Sequence, residues 1–369
     1  MENKNLRIFL AGDVMIGRGI DQILSYTSKF QLFESYVTDA REYVLLAESV
    51  NGKINFPVSM DYIWGEALTV WDQLKPDIKI INLETSITQS DDYMPGKGIH
   101  YRMHPSNISV LTSPAGIDVC TLANNHVLDW GAAGLIETMS TLKNAGIQFS
   151  GVGENIKQAM QPVIFKLKSN KRVLIFSAGM ESSGVPSFWE ATSQLPGVYY
   201  LPEINQDVLL SIADNIKEHK KSGDLVIFSI HWGGNWGYEI SNEVRKFAHD
   251  LIEVAKVDVI FGHSSHHPKS IELFQGKPIL YGCGDFINDY EGISGHEEYR
   301  GDLSLMYFLD IDCDTQEVRR ITLVPLQIKN FRLNPADKES IQWMQETLNQ
   351  SSKFAVQFIQ RGNYLVYSK

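Results

Sequence analysis

The sequence predicts a mixed α/β domain of two packed sheets with helices outside. Three observations carry this: short aliphatic runs alternate with helical stretches, other runs pair around tight turns, and the runs end repeatedly on a metal-binding residue type. In chain order, the runs at residues 7–11, 77–83, 118–122, 225–230 and 257–261 are rich in aliphatic residues, the pattern of strands buried between helices. Helices are expected in the gaps at 62–74, 132–144, 205–220 and 243–255, with Gly146 and Gly223 placed where a helix stops. Antiparallel pairs are expected at 163–168 with 172–178 around Ser169-Asn170, and at 270–274 with 278–281 around Gln275-Gly276-Lys277. A third pair runs from 303–313 into 318–329, so the sheets are mixed. Helical spacing at Ile341, Met344, Leu348, Phe354 and Phe358 makes residues 331–369 a helical extension packed on a domain of residues 1–330. The least regular stretches, 34–60 and 88–105, are long enough to be functional loops.

Composition narrows the function. A formal charge of -11 leaves no general basic surface for phosphate neutralisation, so nucleic acid is not an expected partner. Cys120, Cys283 and Cys313 are too widely spaced for a zinc pattern or a disulfide framework, which points to a reducing compartment. The basic start of the chain leads into an apolar run of only a few residues before Asp13, which is a strand and not a signal peptide. No stretch reaches the roughly 20 apolar residues of a membrane span, so the expectation is a soluble, cytoplasmic protein.

The strand ends carry the chemistry. RIFLAGD ends on Asp13, IKIINLE on Glu84, VCTLANNH on Asn125 and His126, and LVIFSIHWG on His231 with its Gly; VDVIFGHSSHH supplies His263, His266 and His267. Strand ends in α/β sheets share an edge where clefts form, so these residues can converge. Each fragment alone also fits a cap, a turn or a hydrogen-bonded core histidine; three imidazoles in one turn are harder to explain by packing. Carboxylate, amide oxygen and imidazole suit one or two divalent ions of the Mn, Fe or Zn kind. Glu84 has two oxygens and can bridge a pair of ions, the arrangement that generates a hydroxide nucleophile near neutral pH.

Together the motifs Ala11-Gly12-Asp13-Val14-Met15-Ile16-Gly17-Arg18, Asn82-Leu83-Glu84, Ala123-Asn124-Asn125-His126, Ile230-His231-Trp232-Gly233, Gly262-His263-Ser264-Ser265-His266 and Gly282-Cys283-Gly284-Asp285-Phe286 span most of the chain. Their order and spacing resemble the CapA (poly-γ-glutamate synthesis and capsule protein) family, a branch of the calcineurin-like metallophosphatases. The resemblance implies a four-layer α-β-β-α sandwich of two mixed sheets flanked by helices. It implies that Asp13 and His266 hold one ion, that Asn125, His231 and His263 hold the other, and that Glu84 lies between them. His126 is then the acid near the leaving group, with Asp129 either orienting its imidazole or capping the helix that follows.

Two departures bear on activity. Met15 stands where many calcineurin-like enzymes have a histidine ligand, and Glu84 stands where they have aspartate. Arg18 and Arg102 are candidate grips for an anionic substrate, with a surface arginine as the alternative. Trp232, Trp236 and Tyr238 either shape the cleft or pack in the core, and Asp285 and Asn288 are expected as partners of the histidines, not as ligands. The expected function is a metal-dependent hydrolase using a metal-bound hydroxide on a phosphoester or a γ-glutamyl-type anionic envelope polymer. The alternatives are a non-catalytic accessory that binds polymer or capsule-assembly proteins, and a nucleotidase.

Overall fold

The computed structural model describes residues 5–369, so the basic start of the chain at residues 1–4 lies outside the description. The expected two-sheet sandwich is present. In the larger, ten-stranded sheet the path runs Ile359–Arg361, Tyr364–Ser368, Val318–Ile328, Leu303–Asp312, Asn5–Val14, Ile78–Leu83, Val119–Thr121, Gln148–Ser150. Asn5–Val14 pairs parallel to Ile78–Leu83 and antiparallel to Leu303–Asp312, so it marks the junction between the parallel and antiparallel halves. In the seven-stranded sheet Leu225–His231 lies parallel between Arg172–Met180 and Val259–His263, and the hairpin Ile271–Phe274 with Lys277–Leu280 closes one side.

Side-chain alternation along the strands builds the layers. Leu6, Ile8 and Leu10 face the space between the sheets, where they meet Val173, Ile175, Ile227, Val259 and Phe261 of the other sheet. Their neighbours Phe9 and Ala11 point the opposite way, into a core shared with Trp64, Val70, Trp71 and Leu135 from covering helices and loops. Leu174, Phe176, Val226, Phe228 and Ile260 likewise face Leu209, Ile212, Ile216, Phe247 and Leu251 of two helices on the far side. Three apolar layers between four structural ones define an α-β-β-α sandwich, and the near-continuous apolar strands are what two covered faces require.

The covering helices start and stop as their residues dictate. Gln206–His219, Asn242–Glu253 and Lys338–Gln350 are capped by Asn205, Ser241 and Asp337, whose side chains accept from the backbone N–H three residues on. The stretch 62–74 divides into a short 3₁₀ turn, Tyr62–Trp64, and a helix, Glu66–Leu74, because Gly65 at φ 42 interrupts it. The irregular stretch 34–60 contains one helix, Arg41–Asn51. Helical spacing persists in the tail only to Gln350, after which Ile359–Arg361 and Tyr364–Ser368 form a hairpin on Val318–Ile328. Among the described residues no helix is long and apolar enough to cross a membrane.

The inter-sheet layer should dominate stability. Leu309→Ala, at a fully buried inter-sheet position, is expected to cost about 2–5 kcal/mol in urea unfolding. Leu45→Ala, on the exposed face of Arg41–Asn51, is expected to stay within about 0.5 kcal/mol of wild type.

Candidate metal centre

The strand ends of the two sheets meet at one place. Asp13 arrives on Asn5–Val14, while His231 and His263 end their strands side by side, in register with each other. Asp285 begins the short strand Asp285–Ile287 and lies in register with Asp13. The close fit depends on Gly12, where a Cβ atom would stand 1.9 Å from the Gly284 carbonyl oxygen. The Asp13 carboxylate then ties the sheets together: Oδ1 accepts from Asn82 Nδ2 at 2.7 Å, and Oδ2 accepts from the Ser264 N–H at 3.2 Å.

The imidazoles form an ordered chain. His231 Nε2 lies 3.0 Å from Asn125 Oδ1, His231 Nδ1 lies 2.7 Å from His263 Nδ1, and His263 Nε2 lies 2.6 Å from Ser229 Oγ. The amide oxygen can only accept, so His231 donates from Nε2, His263 donates from Nδ1, and Ser229 donates to His263. Ser229 thereby turns Nδ1 of His263 toward Asp13 Oδ1, 3.9 Å away. On the other side of Asp13, His266 Nδ1 lies 2.9 Å from Asp285 Oδ1. Two donor triplets result, Asp13–His231–His263 and Asp13–His266–Asp285, each with its ligand atoms within 4.8 Å of one another. Glu84 is buried beside them, its Oε1 3.8 Å from His126 Nε2 and 3.9 Å from His231 Nε2.

Nitrogen and carboxylate donors at such spacing fit the divalent ions expected from the sequence. Electrostatics agree. Burial, then the charge of Asp285, pushes the Asp13 carboxyl up to about 7, and burial with Asp13 and Asp285 raises Glu84 well above the carboxylate range. Burial lowers His263 to about 3 and, with the other imidazoles, holds His231 far down, so both keep the neutral form that ligates metals. Burial also pulls His266 down, but Asp285 and Asp13 outweigh it and leave it above its ordinary value.

At the rim, His126 Nδ1 lies 2.7 Å from Asp129 Oδ2, and the same carboxylate accepts from the Tyr101 N–H at 2.7 Å. Asp129 thus orients the imidazole, and Trp130, not Asp129, occupies the cap position of the helix Gly131–Asn144. Lys97, which the sequence reading passed over, reaches in from the irregular stretch 88–105. Its ammonium donates to Asp129 and to the Asn125 carbonyl and lies 3.0 Å from His126 Nδ1. Burial, opposed by Asp129 and helped by Lys97, lowers His126 to about 4.

Of the other expected contacts, Arg18 reaches the cleft beside His266, whereas Arg102 and Trp232 are not part of its lining. Arg18 is buried and its donors are taken: by Asp289, by Glu34 Oε1 at 3.0 Å and by the Tyr43 hydroxyl at 3.0 Å. Arg102 stacks on Trp130 at 3.8 Å and donates to the Ser90 carbonyl at 2.7 Å, which pins a loop. Trp232 packs in the outer core of the seven-stranded sheet and donates to the Tyr281 carbonyl at 2.9 Å. A cleft of about 690 Å³ opens beside His266, lined among others by Asn235, Trp236, Tyr290, His296 and Arg300. Trp236 belongs to its wall, stacked on His296 at 4.0 Å. Asn82 and Asn124, quoted in the motifs without a role, hold the carboxylates and the ANNH turn. Asn82 also donates to Glu84 Oε2 at 3.2 Å, and Asn124 donates to Asn82 Oδ1 at 3.1 Å while accepting from the His126 N–H. Polar side chains inside otherwise apolar strands, as at Asn82 and Ser229, are the signal that finds them.

The bacterial capsule synthesis protein family PGA_cap matches residues 7–290, the part of the chain that contains every residue of this centre. The chain belongs to that family. A Mycobacterium tuberculosis protein named "Probable polyglutamine synthesis accessory protein" is 43% identical over 361 residues, 97% of this chain and 94% of that one. The capsule biosynthesis protein CapA of Bacillus anthracis is 26% identical over 291 residues, 78% of this chain and 61% of its own. The PGA biosynthesis protein CapA of Bacillus subtilis is 24% identical over 331 residues, 89% and 73% respectively. Family membership agrees with the resemblance seen in the motifs.

Two outcomes follow from the charges. Metal competes with the Asp13 proton, so divalent-ion affinity of the chelated protein is expected to fall as pH drops through about 7. Calorimetry in buffers of different ionisation enthalpy would detect the matching proton release. Lys97→Met removes a cation from beside His126, and the imidazole in metal-free protein is expected to titrate above about 4, read from its ring-proton NMR shifts.

Proposed function

We propose that this PGA_cap protein is a metal-dependent hydrolase acting on an anionic substrate of phosphoester or γ-glutamyl type. The observation that supports it most is the joining of two donor triplets, one of them fully buried, through Asp13 beside a His126–Asp129 pair at the rim. A binding module needs no oriented imidazole beside such a cluster. In this reading Asp13, Glu84, Asn125, His231, His263 and His266 hold one or two divalent ions. Such ions polarise the scissile group and lower the pKa of water to near neutrality.

The chain's own residues supply the rest. Asp129 fixes the His126 ring through Nδ1, leaving Nε2 directed at the centre, where it would pass to the leaving atom a proton that it first takes up from the attacking water. Lys97 anchors Asp129 and the Asn125 carbonyl, so the turn that carries His126 keeps its shape. Ser229, Asn82 and Asn124 hold the donor atoms in place from behind. The cleft beside His266 gives an extended substrate a path to the centre. Its wall carries the cations Arg18, Arg300 and Lys329 beside the carboxylates Glu291, Glu297 and Asp302.

One observation favours a second reading, a non-catalytic accessory of polymer assembly. Met15 is fully buried with its sulfur 3.5 Å from the Tyr290 hydroxyl, so the position that supplies a histidine in related enzymes contributes no strong donor. The M. tuberculosis relative is also named an accessory protein. The two readings separate in one assay. Metal-loaded protein is expected to hydrolyse at least one member of a phosphoester and γ-glutamyl panel, to lose that activity on chelation, and to lose about 10²–10⁴-fold in kcat as His126→Ala. Polymer binding that survives both treatments, without turnover, would establish the accessory reading instead.

A further inference from the structure

We propose that Asp285 is itself a metal ligand and makes up the donor missing at Met15. This deepens the metal reading above and rests on it. Without Asp285, the ion beside His266 would have only Asp13 and His266 as close protein donors, since the Met15 side chain turns to Tyr290. Three protein donors with open positions are the usual pattern of a catalytic site. Asp285 completes that number by its place in the sheet. It sits in register with Asp13 on the neighbouring parallel strand, and the backbone on both sides is locked by the Asp13 N–H to the Gly284 carbonyl at 3.0 Å and the Met15 N–H to the Ile287 carbonyl at 2.9 Å. The two carboxylates therefore project toward His266 from adjacent strands.

The local charge count gives an independent reason. Asp13, Glu84 and Asp285 are all buried, at 0%, 2% and 1% exposure. The nearby Arg18 is already matched by Glu34 and Asp289, and Lys97 is matched by Asp129. His266, 2.9 Å from Asp285 Oδ1, is the cationic partner at hand for three buried carboxylates; carboxylates in excess of their counter-charge are costly, and a divalent ion held by Asp13 and Asp285 would supply the rest. Each Asp285 oxygen accepts one hydrogen bond, Oδ1 from His266 Nδ1 and Oδ2 from Asn288 Nδ2 at 2.8 Å, and keeps a lone pair for the ion. Asn288 would then steady the carboxylate, and His266 would exchange its contact with Asp285 for one with the metal.

The test is Mn²⁺ stoichiometry by elemental analysis, with electron paramagnetic resonance of the loaded protein. Wild type is expected to hold two equivalents with a spin-coupled spectrum. Asp285→Ala is expected to hold one, with the six-line spectrum of an isolated ion, as is His266→Ala. The lost equivalent should not return when free Mn²⁺ is raised 100-fold. A carboxylate that merely orients His266 would cost about 10–100-fold in affinity, so refilling within that range overturns the proposal. Retention of both ions, loss of both ions, or fewer than two in wild type overturns it equally. Asp285→Leu, of similar size and without a donor oxygen, is read the same way if Asp285→Ala does not fold. The outcome is separable from the hydrolase reading: wild type that binds two ions and turns over nothing leaves the ligand assignment intact.

Discussion

The structure depends on placing negative charge where two apolar sheets meet. Asp13 is fully buried, joined to its own sheet through Asn82 and to the opposite sheet through the Ser264 N–H. Glu84 and Asp285 are buried with it, among the neutral imidazoles of His231 and His263 and the more basic one of His266. A core of Leu6, Ile8, Val173 and Val259 alone would hold the sheets together without these groups. Keeping them costs stability in the absence of a cation, the usual exchange at functional sites.

The two sides of the centre are built differently. Toward His126, Lys97 and Asp129 meet at Nδ1 of the imidazole, and the Tyr101 N–H holds Asp129 in turn. Toward His266 the centre opens into the cleft, whose wall mixes Trp236, Tyr290 and Ile293 with Asn235 and Arg300. The oriented imidazole and the open cleft thus fall on opposite flanks of Asp13. Arg18 contributes indirectly: its ion pairs with Glu34 and Asp289 hold the loop after Asn5–Val14 against the segment that carries Tyr290.

Much of the fold was legible because covered strands must be apolar throughout. The runs at 77–83, 225–230 and 257–261 announced themselves for that reason, and each led into a ligand-type residue. The tail was less legible: Phe354 and Phe358 keep a helical spacing, yet Asn349 accepts from the Phe358 N–H and the chain turns back into a hairpin. Trp232 was ambiguous because a tryptophan after a strand can face a cleft or a helix layer, and here Phe247 and Tyr281 claim it. Arg102 was ambiguous for a similar reason, since only the packed loop shows that Trp130 lies under its guanidinium.

The sequence by itself determined the layer order and the set of polar groups delivered to one sheet edge, because those follow from residue type and period along the strands, while its motifs carried the family resemblance. Only the tertiary structure decided which groups touch. Strand register put Asp285 opposite Asp13, and the loop from 88 to 105 brought Lys97 to Asp129. It also decided that Arg18 and Arg102 spend their donors on protein. Contacts between residues 250 or more positions apart, such as Asp13 with Ser264, carry no local periodic signal, since they are set by how two sheets pack and not by any single strand.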